Sequence, residues 1–411
     1  MKKIIGLAAL LTGTALSPAM AQEAIKIGLL ATLEGPFTVL GQDAQRGAEL
    51  AVKKFGGAVD GHPIEWVIGS TDASPDSALA AVRKLVEQDG VKVVVGPLSG
   101  DEGMAVKDYA KSHPDVTFIN GTSGAQDFTL RDPVENVFRF TTDGAQWMAG
   151  LGTYLYDKKE VRTLATVAED YSYPYTQVFG LMAEFCTKGG KVVSKSWVPI
   201  GNKDYSSVIA AIPDDVDAVY VALGGADAVN FLTQYQQAGG TAPLVGGSIT
   251  VDQSVLGVQG TLRDTVIGMP AAGPMADNNP APEWQAFVAD YKAAFADGFT
   301  SPSLFAQGYY INTMAALTGL DAVDGDLSDG GAKYRAALSG LTLDTPTGKV
   351  SLDANRNGVA DNFVTQVVEN ADGTLSNEIL FVQSQVNQTL GIDPVAFMAM
   401  GVTGRDNPTC E

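Results

Sequence analysis

Cysteine and histidine are nearly missing from this 411-residue chain, with two of each. The pair Cys186 and Cys410 excludes a disulfide-rich scaffold. In an oxidising compartment the two can form one bridge; the alternative is one buried thiol and one tail thiol. His62 and His113 both stand before a proline in a turn. A Cys/His metal cluster is therefore excluded, and a nucleophilic serine has no evident base. No G-x-x-x-x-G-K-[ST] occurs and no G-x-G-x-x-G follows a strand, so a phosphate-cradling loop is absent. Beyond the leader, no apolar run is long enough to cross a bilayer. Basic residues are few, 27 against 47 acids, for a net charge of −20. Such an acidic surface disfavours nucleic acid and anionic membrane as partners.

The leader itself is informative. Lys2 and Lys3 precede an apolar run from Ile4 to Leu16, and Ala19-Met-Ala21 is a small-x-small cleavage site. Residues 1–21 are expected to be a secretory signal, giving a soluble periplasmic chain from Gln22 with a net charge of −22. No cysteine follows the site to carry a lipid anchor.

Short apolar runs alternate with amphipathic stretches. Strands are expected at Ile25–Ala31, Ile64–Ser70, Lys92–Val95 and Val116–Ile119, with helices from Gly41 to Phe55 and after the Ser74-Pro75 cap. The pattern restarts at Arg162–Ala168 and runs through strands at Lys191–Val198, Asp217–Leu223, Leu244–Gly247 and Val266–Met269. Two successive βαβ sets predict an α/β fold of two doubly wound, Rossmann-like lobes. The last third adds two helices and an alternating hairpin around Gly348–Leu352 and Phe363–Val368, then a polar tail.

Two chemical motifs invite a test. Gly121-Thr-Ser-Gly-Ala125 is a near miss for the G-x-S-x-G nucleophile turn, with Ser123 as the only hydrolase candidate. Asp353, Asn355, Asn357 and Asp361 fall at the oxygen-donor positions of an EF-hand-like loop, but position twelve is Val364. Calcium and a polar hairpin turn are the two readings of that loop.

Ligands of open α/β sheets sit beyond the carboxyl ends of the parallel strands. Glu34-Gly-Pro-Phe37, Pro97-Leu-Ser-Gly100 and Gly121-Thr-Ser-Gly124 fall there in the first lobe. Glu169-Asp-Tyr-Ser-Tyr173, Gly224-Gly-Ala-Asp227 and Gly247-Ser248 do so in the second. Hydroxyls and helix N-termini suit a carboxylate. An acid and tyrosines opposite suit a cation or an apolar body.

The order Ile27-Gly-Leu, Glu34-Gly-Pro, Gly41, Val94-Val-Gly-Pro, Glu169-Asp-Tyr-Ser-Tyr and Gly239-Gly resembles the periplasmic leucine/isoleucine/valine-binding proteins, to about Val382. The resemblance implies the type I periplasmic binding fold, with lobes joined by three crossovers near Thr141, Pro270 and Pro346. The expected division is 22–141 with 271–346 as lobe 1, 142–270 with 347–385 as lobe 2, and 386–411 as a tail. It implies a non-enzymatic receptor, without cofactor and expected to be monomeric, that passes a solute to the membrane permease of an ABC importer. By position in the family pattern, Ser99, Gly100, Thr122, Ser123 and Gly124 hold a ligand carboxylate; Tyr173, Tyr205 and Asp227 complete the site, Asp227 facing an ammonium. Phe37, Leu40, Tyr171 and Tyr175 are candidate walls. Gly100 and Gly124 replace the hydroxyl residues usual in the family, and Pro174 a common glycine. An amino acid is the expected ligand; an aromatic carboxylate or small amide, a sensor without transport, and a hydrolase using Ser123 are the alternatives.

Overall fold

A computed structural model describes residues 23–258 and 262–410; the expected secretory signal lies outside them. Among the described residues no helix is long and apolar enough to cross a membrane.

The first sheet orders its strands Ala58–Val59, His62–Thr71, Ile25–Thr32, Val93–Val95, Thr117–Ile119 and Val137–Phe138. All pairs are parallel except the short hairpin of Ala58–Val59 with His62 and Pro63. The central strands are apolar on both faces because helices cover both sides. Thr38–Phe55 and Leu304–Asp321 pack together on one face, and Pro75–Arg83 and Gly100–Ala110 lie on the other. Ser74 caps its helix as the sequence predicts, its hydroxyl accepting from Ser77 N.

The second sheet runs Lys191–Val198, Thr163–Glu169, Ala218–Ala222, Leu244–Gly246 and Pro270–Gly273 in parallel. Antiparallel strands extend it through Gly358–Glu369 to Gly348–Leu352 and Thr342–Thr345, with Leu375–Val386 also on Gly358–Glu369. Two boundaries therefore move from their expected places. Pro270–Gly273 completes the second sheet, so the chain leaves it after Gly273 rather than near Pro270. Thr342–Thr345 already pairs there, so the return precedes Thr342 rather than following Pro346. The sequence did not betray this, since four-residue strands carry little periodicity.

In both parallel sets the second strand lies outside the first, and the third lies on the first strand's other side. The order reverses between Ile25–Thr32 and Val93–Val95 in one sheet, and between Thr163–Glu169 and Ala218–Ala222 in the other. A crevice opens beyond the strand ends at such a point. The two crevices face one another.

A buried polar knot ties the connections between the sheets. Arg139, 0% exposed, donates to Ser123 O (3.1 Å), Ala125 O (2.8 Å), Thr129 Oγ1 (2.7 Å) and Asn357 Oδ1 (2.6 Å). Burial lowers its pKa to about 10, with Asp143 opposing the shift. Gln388, from the tail, donates to Asp143 Oδ2 and Thr129 Oγ1 at 3.0 Å each.

This knot corrects the calcium reading. Asn357 is turned into it, accepting from Arg139 Nε and Thr129 Oγ1. Asp353 Oδ1 caps the amides of Asn355 and Asn357 at 2.8 and 2.9 Å, and Asp361 Oδ1 accepts from Gln385 N at 2.8 Å. The oxygens of Asp353, Asn357 and Asp361 thus serve a hairpin turn and a buried arginine, and Asn355 enters the turn through its backbone N–H. Among the described residues no group of three or more acids, histidines or cysteines converges on a metal position.

The tail crosses both lobes. Phe397 inserts beside Leu130 and Phe179, Arg131 Nη2 donates to Gly401 O at 2.6 Å, and Arg405 pairs with Asp170. Lys195 Nζ and Trp197 Nε1 donate to Pro408 O and Arg405 O. Cys410 is disulfide-bonded to Cys186, 224 residues upstream.

Candidate functional site

A narrow pocket lies between the two switch points, about 320 Å³ in volume when counted out to its open mouth. Gly100 and Gly124 of the first lobe lie directly against Ser172 and Tyr173 of the second, so the lobes are in contact beside it. From the first lobe come Phe37, Leu40, Leu98, Ser99, Gly100 and Thr122. Tyr171, Tyr173, Gly224 and Ile249 come from the second, and Trp147, Leu304 and Phe305 close the sides.

Ser99 caps the helix Gly100–Ala110. Its hydroxyl accepts from Glu102 N and donates to Ala73 O at 2.9 Å, while Glu102 Oε2 accepts from Ser99 N at 2.8 Å. The box uses the Ser99 hydroxyl for the protein itself and leaves the first-turn amides at Gly100 and Asp101 without intrahelical partners. Thr122 Oγ1 donates to Leu98 O at 3.3 Å. Across the cavity Gly224 caps the helix Gly225–Gln237, its own N–H held by Glu169 Oε1 at 3.1 Å. The positive ends of two helices thus border one small space from opposite lobes. Among the described residues no charged side chain lines it.

Gly100 and Gly124 are where the lobes touch. A Cβ on Gly124 would stand 2.4 Å from Tyr173 Cδ2, and one on Gly100 would stand 2.4 Å from Ser172 Oγ. The room these glycines leave is filled by the second lobe, not by a larger ligand. Tyr173 is placed by a 2.7 Å hydrogen bond shared with Ser248 Oγ and by the edge of Trp147 at 5.6 Å. Ser172 N donates to Asp101 Oδ1 at 3.0 Å across the cleft.

Five expected residues lie off the pocket wall. Ser123 is buried with its hydroxyl against Gly103, where a Cβ would come within 2.1 Å, and it has no hydrogen-bond partner. Gly124 lies behind Tyr173. Tyr205 packs edge-on to Phe231 at 5.5 Å in the second lobe's own core. Asp227 Oδ2 accepts from Gly201 N at 2.6 Å. Burial raises the Asp227 pKa, against the Gly201 bond. Glu169, fully buried beside it, is raised further by burial and by the Asp227 charge. Tyr175, expected on a wall, instead hydrogen-bonds Asp170 and meets the edge of Trp197 at 4.7 Å. Neither histidine approaches Ser123: His62 Nδ1 bonds Glu23 O and His113 Nδ1 bonds Tyr109 O.

Sequence reasoning missed Trp147, Leu304, Phe305 and Ile249 as wall residues, while Leu98 and Gly224 fall within stretches it placed at the strand ends without singling them out. The sequence does carry one signal for two of them: Ser303 before Leu304-Phe305 is a helix cap followed by large apolar side chains.

The sequence profile of the periplasmic binding protein family matches residues 24–374. The chain belongs to this family. It is similar to the Leu/Ile/Val-binding protein BraC3 of Rhizobium johnstonii, 27% identical over 84% of this chain and 91% of that one. Among solved structures, an ABC transporter substrate-binding protein from Sphaerobacter thermophilus is 27% identical, covers 89% of this chain and 99% of its own, and superposes with a TM-score of 0.80. A solute-binding protein of an ABC transporter from R. palustris, in complex with benzoate, is 25% identical, with 88% and 97% coverage and a TM-score of 0.80. These place the fold among the type I periplasmic binding proteins, in the branched-chain amino acid binding group. Membership of the periplasmic binding proteins implies a periplasmic location, a small-molecule ligand and a membrane permease.

Proposed function

We propose that this periplasmic binding protein is the non-enzymatic receptor of an ABC importer and captures a small carboxylate with an apolar, aromatic body. One observation carries the reading. The cavity is bordered by two opposed helix N-termini, walled by Phe37, Trp147, Tyr171, Tyr173 and Phe305, and lined by no charged side chain among the described residues. Helix N-termini suit an anion, and aromatic walls suit a flat apolar body. A narrow pocket favours a compact ligand. The benzoate bound by the R. palustris relative is consistent with this class. Closure would present both lobes to the permease, and the ligand favours that state only by its differential affinity for it.

A branched-chain amino acid is the second reading. Its support is the buried acid pair Glu169 and Asp227 behind Gly224, close enough for the Asp227 charge to raise Glu169. Calorimetry of the mature protein, unfolded, dialysed and refolded to strip carried-over solute, separates the two. Tight binding of benzoate-type acids with none of leucine supports the first reading; the reverse pattern refutes it.

A further inference from the structure

Two carboxylates reach across the cleft, one from each lobe. Asp101, in the first turn of the first lobe's helix Gly100–Ala110, accepts a hydrogen bond from Ser172 N at 3.0 Å. Ser172 is the first residue of the second lobe's helix Ser172–Phe185, whose N-cap residue Tyr171 supplies no capping side chain. The missing cap therefore comes from the opposite lobe. Asp252 does the converse. Its Oδ1 accepts from Ser254 N at 3.0 Å and caps its own short helix Gln253–Leu256, while its Oδ2 accepts from Leu304 N at 2.8 Å. Leu304 opens the first lobe's helix Leu304–Asp321, where the Ser303 hydroxyl accepts from Ala306 N and leaves the Leu304 amide to Asp252. Each lobe thus offers one acid to the first N–H of a helix in the other.

The two contacts flank the pocket. Gly100, next to Asp101, and Leu304 line its wall, while Asp101 and Asp252 stand outside it. Each contact has a neighbour that also crosses the cleft. The rings of Phe37 and Tyr171 lie 6.3 Å apart beside the first, and Thr300 Oγ1 donates to Gln253 Oε1 at 2.9 Å beside the second. The first-turn amides of a helix have no partner within it, and a carboxylate there also meets the favourable end of the helix dipole. Parting the lobes would return both amides to water. Contacts made only in the closed state raise its population, and a solute that binds that state is held more tightly in proportion. We propose that Asp101 and Asp252 form a reciprocal latch that holds the lobes closed and so strengthens solute binding without touching the solute. They are positioning residues for capture: the pocket walls select the ligand, and the latch sets how long it stays.

The latch is tested first without solute, by hydrogen exchange resolved to single amides in the stripped mature chain. Asp101→Ala removes one acceptor. Asp252→Ser keeps a residue type that caps Ser254 N and shortens the side chain that reaches Leu304. A latch acts at a distance, so each variant should speed exchange in the opposite contact. Asp101→Ala should quicken Leu304 N, and Asp252→Ser should quicken Ser172 N, by about fivefold each. Faster exchange only at the amide that each variant uncaps would mark two separate helix caps and overturn the proposal, as would unchanged rates. Should Asp252→Ser fail to fold, Asp101→Ala alone decides, through Leu304 N. A second arm rests on the aromatic-carboxylate reading and uses benzoate. Its dissociation should quicken about fivefold in each variant, with association within about twofold of the parent's. Dissociation at the parent's rate would overturn the latch; a parent that fails to bind benzoate would count against the ligand class alone.

Discussion

Asp252 Oδ2 accepts a hydrogen bond from Leu304 N at 2.8 Å, joining a loop of the second sheet to the first turn of the helix Leu304–Asp321. A carboxylate at a helix N-terminus is stabilised by the helix dipole. Here burial outweighs that help and raises the carboxyl from 3.8 to about 6. A raised acid contributes stability that is complete below its unfolded pKa and is lost as pH rises through its folded one. Relative to Asp252→Asn, the wild type should lose stability between about pH 4 and pH 6 and hold a constant difference above that. The span is on the order of 3 kcal/mol at most. Denaturant unfolding of both proteins across that range is the check; parallel curves would remove the effect.

Gly124 is expected to act on closure rather than on the ligand. Its Cβ position is 2.4 Å from the Tyr173 ring, and overpacking a fitted contact costs about 1–3 kcal/mol. Gly124→Ala should weaken solute binding about tenfold or more by calorimetry, with little change in the unfolding midpoint of the solute-free protein. Adding Tyr173→Ala should make the two effects non-additive, since removing the ring removes the clash.

Asp227 separates the two ligand readings. Its carboxylate is held by Gly201 N and lies off the cavity wall. Asp227→Ala should leave the affinity for a benzoate-type acid within about threefold, or roughly 0.7 kcal/mol. A loss on the order of 100-fold, alongside measurable leucine binding in the parent, would instead identify Asp227 as an ammonium partner.

The bridge between Cys186 and Cys410 closes a long loop and anchors the tail. Replacing both cysteines with serine should lower stability by about 2–4 kcal/mol. Limited proteolysis should then cut the segment after Gly401, where Arg131 and Asp170 are its charged anchors.

Much of this could be read from the sequence because parallel strands leave a local signature. The apolar runs at Val93–Val95 and Thr117–Ile119 end in small and hydroxyl residues, and both ends lie at the first lobe's crevice. Ser74 and Ser99 announce their helices by the residue types that cap them. What stayed hidden depends on contacts far apart in sequence. Trp147 reaches the pocket from a crossover, and Leu304 and Phe305 from a helix that follows the second sheet's parallel strands and precedes its antiparallel ones. Local periodicity cannot place either. Asn357 misled for a related reason. Its oxygen-rich neighbourhood reads as a cation loop, yet the cation it meets is Arg139, 218 residues earlier.

The disulfide also sets an order of events. Cys186 has one possible partner within the chain, because the sequence holds no third cysteine, so mispairing within a molecule cannot occur. That partner arrives 224 residues later. Cys186 is therefore made well before its partner, and most of the second sheet is delivered between the two. The covalent fastening of the tail can form only once residue 410 has been made and has met Cys186. A maturing population would show that step as a thiol titre: two thiols per molecule before the strap is seated, none afterwards.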